Sequence, residues 1–393
     1  MEVFDRMYFD QGIERRGTNC VKWDMMLRET GDPDLTPMWV ADMDFASPPA
    51  IRQALIKAAD QGTWGYTFTG EEDREALIGY WQRWHQVDLR PEWIQLSPCV
   101  VTGLRICVQA LTHPGDGVLI FTPVYGPFFD AVRESGRTLV ESLLTEKDGL
   151  LRMNLSEVKA QLSGGHAKLV MICNPHNPCG RAWDRQELEE LLALCRQFDV
   201  PLVSDEIHAD FVFAPSRHES VLRLAREDDR VVMLCAASKT FNVAGLLLSA
   251  ICCPDAQLRE SICATMRRNG CVCGNIFALA ATRAAYTQCD EWLTGLRAYL
   301  MDNRDQVMAY AREHWPRIRI SPLQATYLMW LDCRDLGLDQ ADLISRLLQH
   351  HVKLNDGLFF GEAGRGHIRM NIACPKAQLH TALEKMTAVL GEG

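Results

Sequence analysis

The stretch VVMLCAASKTFN (231–242) is an apolar run of strand length that leads directly into a lysine, Lys239. Four more apolar runs of similar length occur along the chain: VLIFTP (118–123), KLVMIC (168–173), VPLVSD (200–205) and LLLSAICC (246–253). The stretches between these runs have the periodicity of helices. Strands that alternate with helices predict a mostly parallel sheet with helices on both faces. The sequence therefore predicts an α/β fold.

One of the intervening helices is predicted in detail, over residues 184–198. Asp184 can cap its N-terminus, and Glu187 stands three residues later, as in a capping box. The apolar residues of this segment fall on one stripe, which consists of Leu188, Leu191, Leu192 and Cys195. We expect that stripe to pack on the sheet.

The pattern changes after about residue 290. A long helical stretch runs to Arg312, and YLMWLDCR (327–334), a helix near 339–350 and a closing helix from about Lys376 follow it. We expect three parts: an N-terminal segment, 1–45, that joins the small domain; a large domain, 46–288; and a small α+β domain, 289–393.

Composition excludes several classes of protein. The 393 residues are 47% apolar and 23% charged, which excludes a disordered chain. The chain has a net charge of -10 and no block of Lys and Arg, so a nucleic-acid or anionic-membrane surface is not expected. No apolar stretch reaches the ~20 residues that span a bilayer, and the first residues lack a signal-peptide pattern. We expect a cytoplasmic protein.

The chain has 15 cysteines, most of them inside apolar runs, where a thiol behaves as a small hydrophobic group. Buried free thiols are typical of a reducing compartment. Cys271 and Cys273 form a C-x-C pair without a second Cys/His pair at the spacing of zinc ligands. No metal site is expected.

Polar residues that follow strands are the candidates for function, because ligands of open parallel sheets bind at the carboxyl ends of the strands. Lys239 follows one strand and Asp205 closes another, while NPHNPCG (174–180) follows a third. SPCVVTGLR (97–105) ends an apolar run and opens a helical one, so its backbone N–H groups could hold a phosphate.

Each of these features also has an ordinary structural interpretation. A lysine at a strand end is usually exposed, a buried aspartate commonly belongs to a salt bridge, and an Asn-Pro segment is commonly a plain loop. A lysine with a lowered pKa, however, is suited to bonding a carbonyl cofactor, and a buried carboxylate is suited to a protonated pyridine nitrogen.

Taken in chain order, the 97–105 turn, PVYGPFF (123–129), NPHNPCG, SDEIH (204–208) and ASKTFN (237–242) resemble the fold-type I pyridoxal-phosphate enzymes. More narrowly, a second set of motifs is similar to the MalY/PatB-type cystathionine β-lyases, a group related to aminotransferases. That set is KWD (22–24), WVADMDF (39–45), WGYTFTG (64–70), SDEIHAD (204–210), NDGLFFGEAGRG (355–366) and IRMNIACP (368–375).

The resemblance implies an aminotransferase-like fold whose large domain has a seven-stranded-type sheet. It also implies a pyridoxal 5′-phosphate cofactor and a role for each matching residue. Lys239 matches the Schiff-base lysine, and Asp205 matches the acid that keeps the pyridine nitrogen protonated. Asn177 matches the asparagine that bonds the cofactor O3′ and also contacts the substrate. Tyr125 matches the aromatic residue that stacks on the ring, and His208 lies where related aminotransferases have a tyrosine near O3′.

The resemblance also implies a phosphate site, a substrate site and a second subunit. The backbone amides of Val100 and Val101, together with Ser238, would hold the phosphate. Arg369 matches the arginine that binds the substrate α-carboxylate. Tyr66 matches a catalytic tyrosine that reaches the phosphate from the neighbouring subunit, so the resemblance implies an obligate homodimer with active sites at the interface.

Three positions depart from the family pattern. Cys179 stands where a threonine is usual, Thr102 where a proline is common, and Ala236 where a phosphate-contacting serine is frequent. None of these changes removes the lysine, the acid or the arginine. We expect altered cofactor affinity and intact chemistry.

The expected activity is carbon–sulfur β-elimination, in which cystathionine or a related cysteine S-conjugate gives a thiol, pyruvate and ammonia. Transamination is the alternative enzyme activity, because it uses the same lysine, acid and arginine. A regulatory binding protein is an alternative of another class, although nothing basic or exposed in the sequence favours it. Trp39, Phe359 and Phe360 are candidates for the pocket of the leaving thiol, but such residues more often pack in a core.

Overall fold

The computed structural model describes residues 3–147, 149–226, 228–271 and 274–391. Its strands are β1 (Thr36–Pro37), β2 (Ile94–Ser97), β3 (Gly117–Thr122), β4 (Thr138–Leu143), β5 (Thr145–Lys147), β6 (Leu150–Arg152), β7 (Leu169–Cys173), β8 (Leu202–Asp205), β9 (Val231–Cys235), β10 (Ser249–Cys252), β11 (Arg319–Ile320), β12 (Leu328–Asp332), β13 (Val352–Lys353), β14 (Asn355–Asp356) and β15 (His367–Asn371). All five apolar runs of the sequence contain one of these strands, so the five strand predictions are confirmed.

The α-helices lie between and after the strands. They are α1 (Arg6–Asp10), α2 (Met26–Thr30), α3 (Pro49–Asp60), α4 (Glu71–His85), α5 (Val100–Leu111), α6 (Pro127–Arg133), α7 (Leu155–Ser163), α8 (Arg185–Gln197), α9 (Val221–Leu224), α10 (Ala256–Arg268), α11 (Ile276–Gln288), α12 (Asp290–His314), α13 (Gln340–Gln349) and α14 (Lys376–Leu390). Helix α8 has the predicted capping box, in which Asp184 and Glu187 bond each other's backbone N–H groups, and its apolar stripe is buried.

The central sheet has seven strands in the order β2-β10-β9-β8-β7-β3-β4. Six strands run in one direction, and β10 pairs antiparallel with both of its neighbours. The reversal of β10 follows from its connection to β9, because segment 236–248 contains only the short 3-10 helix Ala244–Leu246. A parallel return would need a longer crossover. The prediction of a mostly parallel sheet is confirmed.

Both faces of this sheet are covered, which explains why its strands are apolar throughout. In β3, Val118 and Ile120 pack into one core cluster, and Leu119 and Phe121 pack into another on the opposite face. Successive side chains of a strand point to opposite faces. A strand between two helical layers therefore needs an apolar residue at every position.

A second, four-stranded sheet has the order β11-β12-β15-β14 and belongs to the last part of the chain. Helices α12 and α14 pack against each other, and a third core cluster joins them to this sheet and to residues Phe9, Met38 and Phe45 near the N-terminus. The first residues thus share a core with the last ones. No helix in the described ranges is both long and apolar enough to cross a membrane.

Candidate active site

The carboxyl ends of β3, β7, β8 and β9 lie at the same edge of the central sheet, where they border a cavity. The cavity is lined by residues that come from six connections of the chain: Ala41, Pro98, Cys99, Val100, Val101, Tyr125, Cys173, Asn177, Asp205, Ile207, His208, Ser238, Lys239, Ala244, Leu247 and Leu248. The resemblance assigns a role to ten residues, and eight of them line this cavity. Of the other two, Arg369 bonds the lining residue Asn177, and Tyr66 lies elsewhere.

Lys239 lies in a turn that is held at two nearby positions. The hydroxyl of Thr240 donates to the buried Asp210, whose carboxylate also bonds the His85 ring at 2.8 Å. Asn242 has a positive φ of 58°, and its side chain bonds the backbone of Met43. These bonds fix the backbone on the C-terminal side of Lys239, so the direction in which its side chain leaves the turn is determined.

The Lys239 amine donates to the backbone carbonyl of Ala41 at 2.8 Å. Burial lowers the pKa of this amine, and the negative charge of Asp42 opposes that effect. A lysine with a lowered pKa has more of its amine in the neutral form, which is the form that attacks a carbonyl or removes a proton.

Asp205 is the last residue of β8 and is buried. Its carboxylate accepts a hydrogen bond from the backbone N–H of Ile207 at 3.1 Å. Burial raises the pKa of Asp205 to about 7, although the positive charge of Lys239 acts in the opposite direction. A buried acid with so high a pKa is suited to a cationic ligand, which would stabilise its ionised form.

The raised pKa of Asp205 predicts a pH-dependent loss of stability in the cofactor-free protein. Between 3.8 and about 7 the folded protein holds a proton that the unfolded chain releases, so stability falls as the pH rises through that window. The loss is limited to about 4 kcal/mol, because one pKa unit corresponds to about 1.4 kcal/mol. We expect cofactor-free Asp205→Asn to melt at a higher temperature than the wild type at pH 8 and at nearly the same temperature at pH 4.5. Melting curves that stay parallel across this range would contradict the assignment.

Arg369 lies on β15 and is buried, with its guanidinium over the Phe360 ring at 4.9 Å. Its N–H groups donate to three neutral oxygens: the Asn177 side chain at 3.0 Å, the Trp39 carbonyl at 2.7 Å and the Asn355 side chain. Its Nε is buried and has no hydrogen-bond partner among the described residues, and burial lowers the pKa of Arg369 to about 10.

The surroundings of Arg369 favour an anionic ligand. Among the ion pairs of the described residues, none includes Arg369. A buried cation that meets only neutral oxygens is costly unless an anion joins it. A carboxylate that accepts two parallel N–H bonds is the anion that a guanidinium binds best.

His208 and Tyr125 add two rings to the cavity wall. Burial lowers the pKa of His208 to about 3, so its ring is neutral. Its Nδ1 is buried and bonds none of the residues that the structure describes. Tyr125 follows β3, and its ring lies 6.0 Å from that of Phe359. Burial raises the pKa of the Tyr125 phenol, so this residue stays a neutral hydrogen-bond donor.

The first turn of α5 opens toward the cavity. Val100 and Val101 are its first residues, and the residue before them, Cys99, makes no capping bond with its side chain. Backbone N–H groups at a helix N-terminus bind anions, and Ser238 on the facing turn can add a hydroxyl. This part of the cavity is therefore suited to a phosphate.

Tyr66 does not contribute to the cavity within one chain. It is fully exposed, in a loop that also exposes the rings of Trp64 and Phe68. The placement is compatible with a tyrosine that serves a neighbouring subunit, as the resemblance implies.

Several residues at the site were missed by sequence reasoning. Asn355 and the carbonyls of Trp39 and Ala41 contact Arg369 or Lys239, and Tyr327 donates to the Ala41 carbonyl at 3.0 Å. Asn355 and Ala41 lie in motifs quoted above, yet backbone oxygens and distant contacts leave no mark in a motif. Of the three aromatic residues proposed for the thiol pocket, Phe360 is in the core, Trp39 is half-buried and Phe359 is exposed at 47%.

Metal ligands are not clustered in the parts of the chain that the structure describes: no group of three or more His, Cys, Asp or Glu could hold an ion there. Cys271 is a free thiol, and Cys273 lies outside the described residues.

A lysine, a buried acid and a buried arginine at the carboxyl edge of a mostly parallel sheet define an enzyme of the fold-type I class that handles amino acids. A family model described as aminotransferase class I and II matches residues 33–386. The chain belongs to that family, and the predicted fold is confirmed.

Relatives place the chain more closely. Cystathionine beta-lyase PatB of Bacillus subtilis is 40% identical over 98% of this chain and 100% of its own length. Protein MalY of Escherichia coli is 31% identical over 94% and 95%. The crystal structure of cystalysin from Treponema denticola, which contains pyridoxal 5′-phosphate, matches with a TM-score of 0.93 and 30% identity, over 97% of this chain and 98% of that one. The resemblance to the MalY/PatB group is confirmed.

Proposed function

We propose that this protein is a pyridoxal-phosphate-dependent carbon–sulfur β-lyase that cleaves cystathionine or a related cysteine S-conjugate. The observation that carries the proposal is a cavity lined by Lys239 and Asp205, beside which the Arg369 guanidinium bonds the lining residue Asn177. Within the described ranges, neither Asp205 nor Arg369 belongs to an ion pair, and the Lys239 amine donates to a neutral carbonyl. The relative named cystathionine beta-lyase PatB is 40% identical to this chain, which favours lyase activity over the other activities of the family.

The residues of the cavity fit pyridoxal phosphate. Lys239 would bond its aldehyde, Asp205 would face its pyridine nitrogen, and Asn177 would bond its O3′. Tyr125 would stack on the ring and His208 would lie near O3′, while Val100, Val101 and Ser238 would hold the phosphate. When bound, the cofactor supplies an electron sink for charge that develops at the substrate α-carbon.

The chain's own residues orient the substrate and move its proton. Arg369 binds the α-carboxylate, and Asn177 holds the guanidinium in place. The neutral amine of Lys239 takes the proton from the α-carbon, a role that its lowered pKa supports. The β-substituent leaves with the electrons of its carbon–sulfur bond, and a thiolate is a good leaving group because the thiol pKa is about 8.5. Hydrolysis of the remaining fragment yields pyruvate and ammonia.

The activity is tested by incubating the pure protein, with cofactor bound, with cystathionine or S-alkyl cysteines. Pyruvate and a thiol should appear in equal amounts. A 2-oxo acid formed with its amino group passed to a second 2-oxo acid, and without thiol, would identify a transaminase. Absence of turnover with the cofactor bound would refute both assignments.

A homodimer whose active sites lie at the subunit interface is part of the proposal. The loop 62–70 exposes three aromatic rings, an arrangement that favours burial against a partner. In this arrangement Tyr66 reaches the phosphate of the neighbouring subunit and takes part in catalysis there. The small-molecule substrate would then enter between the subunits.

Subunit complementation tests the role of Tyr66. Lys239→Ala and Tyr66→Ala proteins, each of low activity, should recover about a quarter of the wild-type activity when they are mixed, dissociated and reassembled in equal amounts. The reason is that half of the dimers are mixed, and each mixed dimer has one site with both residues intact. If Tyr66 acts in its own subunit, the mixture will be no more active than its components. Two Lys239→Ala preparations treated in the same way provide the control.

The domain division and the compartment also stay proposals. The division is an N-terminal segment 1–45, a large domain 46–288 and a small domain 289–393; the shared core of Phe9, Phe45 and the last helices supports joining the first part to the third. The free thiols of the described cysteines support a cytoplasmic location.

A further inference from the structure

The backbone segment 39–45, here called the strap, contacts both Lys239 and Arg369, and its Ala41 lines the cavity. Its Ala41 carbonyl accepts from Lys239 at 2.8 Å, and its Trp39 carbonyl accepts from Arg369 at 2.7 Å. The same Ala41 carbonyl accepts a second hydrogen bond, from the Tyr327 hydroxyl at 3.0 Å. The Tyr327 hydroxyl and the Lys239 amine thus donate to the same carbonyl oxygen.

We propose that Tyr327 is a positioning residue for Lys239, because its hydroxyl fixes the carbonyl on which the free lysine amine rests. A backbone carbonyl has two lone pairs and can accept both bonds at once. Under the proposed function, the neutral Lys239 amine takes the proton from the substrate α-carbon, so this amine must lie close to that atom. A fixed resting place limits the arrangements that the four-carbon lysine chain can adopt at that stage.

The ring of Tyr327 cannot move easily. The residue is fully buried, its ring packs edge-on against that of Phe211 at 5.1 Å, and the His208 ring lies 6.1 Å away. Burial raises the pKa of the phenol, so its hydroxyl stays protonated and acts as a donor. The donor side of the bond to Ala41 is therefore fixed by the packing of Tyr327 and does not depend on the Lys239 amine.

The strap is also held on both sides of Ala41. The Asn371 amide donates to the carbonyls of Val40 and Asp42, the second at 2.7 Å. Near the end of the strap, Asp44 pairs with the buried Lys22 at 2.7 Å. The Ala41 peptide is therefore held through its neighbours by Asn371 and directly by the Tyr327 hydroxyl, and its carbonyl accepts from the Lys239 amine.

The test uses full-length Tyr327→Phe, which removes only the hydroxyl. Two rates are measured: covalent attachment of added pyridoxal phosphate, followed by visible absorbance, and exchange of the α-hydrogen of L-alanine with D2O, followed by NMR. Alanine has no β-leaving group, so this exchange does not depend on the proposed lyase activity. We expect both rates to fall about tenfold, while the KM for a cysteine S-conjugate changes less than twofold.

Tyr310→Phe is the matched control. The Tyr310 hydroxyl bonds the Thr387 hydroxyl at 3.0 Å, and neither residue lines the cavity. This variant should leave both rates unchanged. A second variant, Asn371→Ser, loosens the strap from the other side and should lower the same two rates even if Tyr327→Phe fails to fold. Attachment and exchange rates within twofold of the control in a folded Tyr327→Phe protein, or a rise in KM with kcat unchanged, would overturn the proposal.

Discussion

Replacing Lys239 by alanine is expected to lower kcat at least about 10³-fold, because the change removes the covalent anchor of the cofactor and the base that takes the α-proton. The structure places this amine at the cavity wall, hydrogen-bonded to a neutral carbonyl and with a lowered pKa. Elimination and transamination would both be lost, since both begin with the same proton transfer. The measurement is steady-state pyruvate formation at saturating substrate.

One further measurement and one control variant test whether the chemistry belongs to Lys239. Borohydride makes the bond between a lysine and an aldehyde permanent, so peptide mass spectrometry should find the cofactor on Lys239 in the wild type and no labelled peptide in the variant. Lys57→Ala, on the exposed face of α3, should keep both activity and label. Label on another lysine of the wild type, or turnover retained in Lys239→Ala, would end the assignment.

The central sheet could be predicted because its physics is local. Strands that are buried on both faces must be apolar at every position, so runs such as VLIFTP and KLVMIC stand out in the sequence. The reversal of β10 was not anticipated. It depends on the short path between β9 and β10, and the apolar run LLLSAICC has the same composition in either direction.

Strands of the second sheet were harder to recognise. The segment IRMNIACP (368–375), which the sequence analysis treats only as a motif, contains four of the five residues of β15, and β14 spans just two residues. Short strands in a mixed sheet carry too few residues for a clear periodicity, and their pairing partners lie far away in sequence. Residues Asn355 and Arg369 are neighbours only because of that pairing.

The site was predictable where a residue follows a strand or belongs to a family motif, as with Asp205, Asn177 and Lys239. It was not predictable where a contact joins distant segments through the backbone. The Ala41 carbonyl and the Tyr327 hydroxyl meet across 286 residues of sequence, and a carbonyl oxygen is common to every residue type. Only the folded structure shows contacts of that kind.

Arg369→Lys is expected to lower kcat/KM for cysteine S-conjugates by about 10²- to 10⁴-fold, chiefly through KM. A carboxylate held by two charged hydrogen bonds gains about 1.5–3 kcal/mol from each, and lysine cannot present two parallel donors. Asn177 and Asn355 accept from different nitrogens of the guanidinium, and the single ammonium nitrogen of lysine cannot reproduce that arrangement. Arg83→Lys, on a half-exposed side chain that pairs with Asp290, is the control and should have no effect.

A substrate that lacks the carboxylate distinguishes recognition by Arg369 from general damage to the site. The S-substituted cysteamine that corresponds to each cysteine S-conjugate keeps the amine and the sulfur and loses only the anion. The wild type should prefer the amino acid over this amine by the same factor that Arg369→Lys loses, and in the variant that preference should nearly disappear, because the two changes remove one interaction. If the variant keeps the full preference, the carboxylate is bound by another group, and Arg369 is held in its buried position for a structural reason instead.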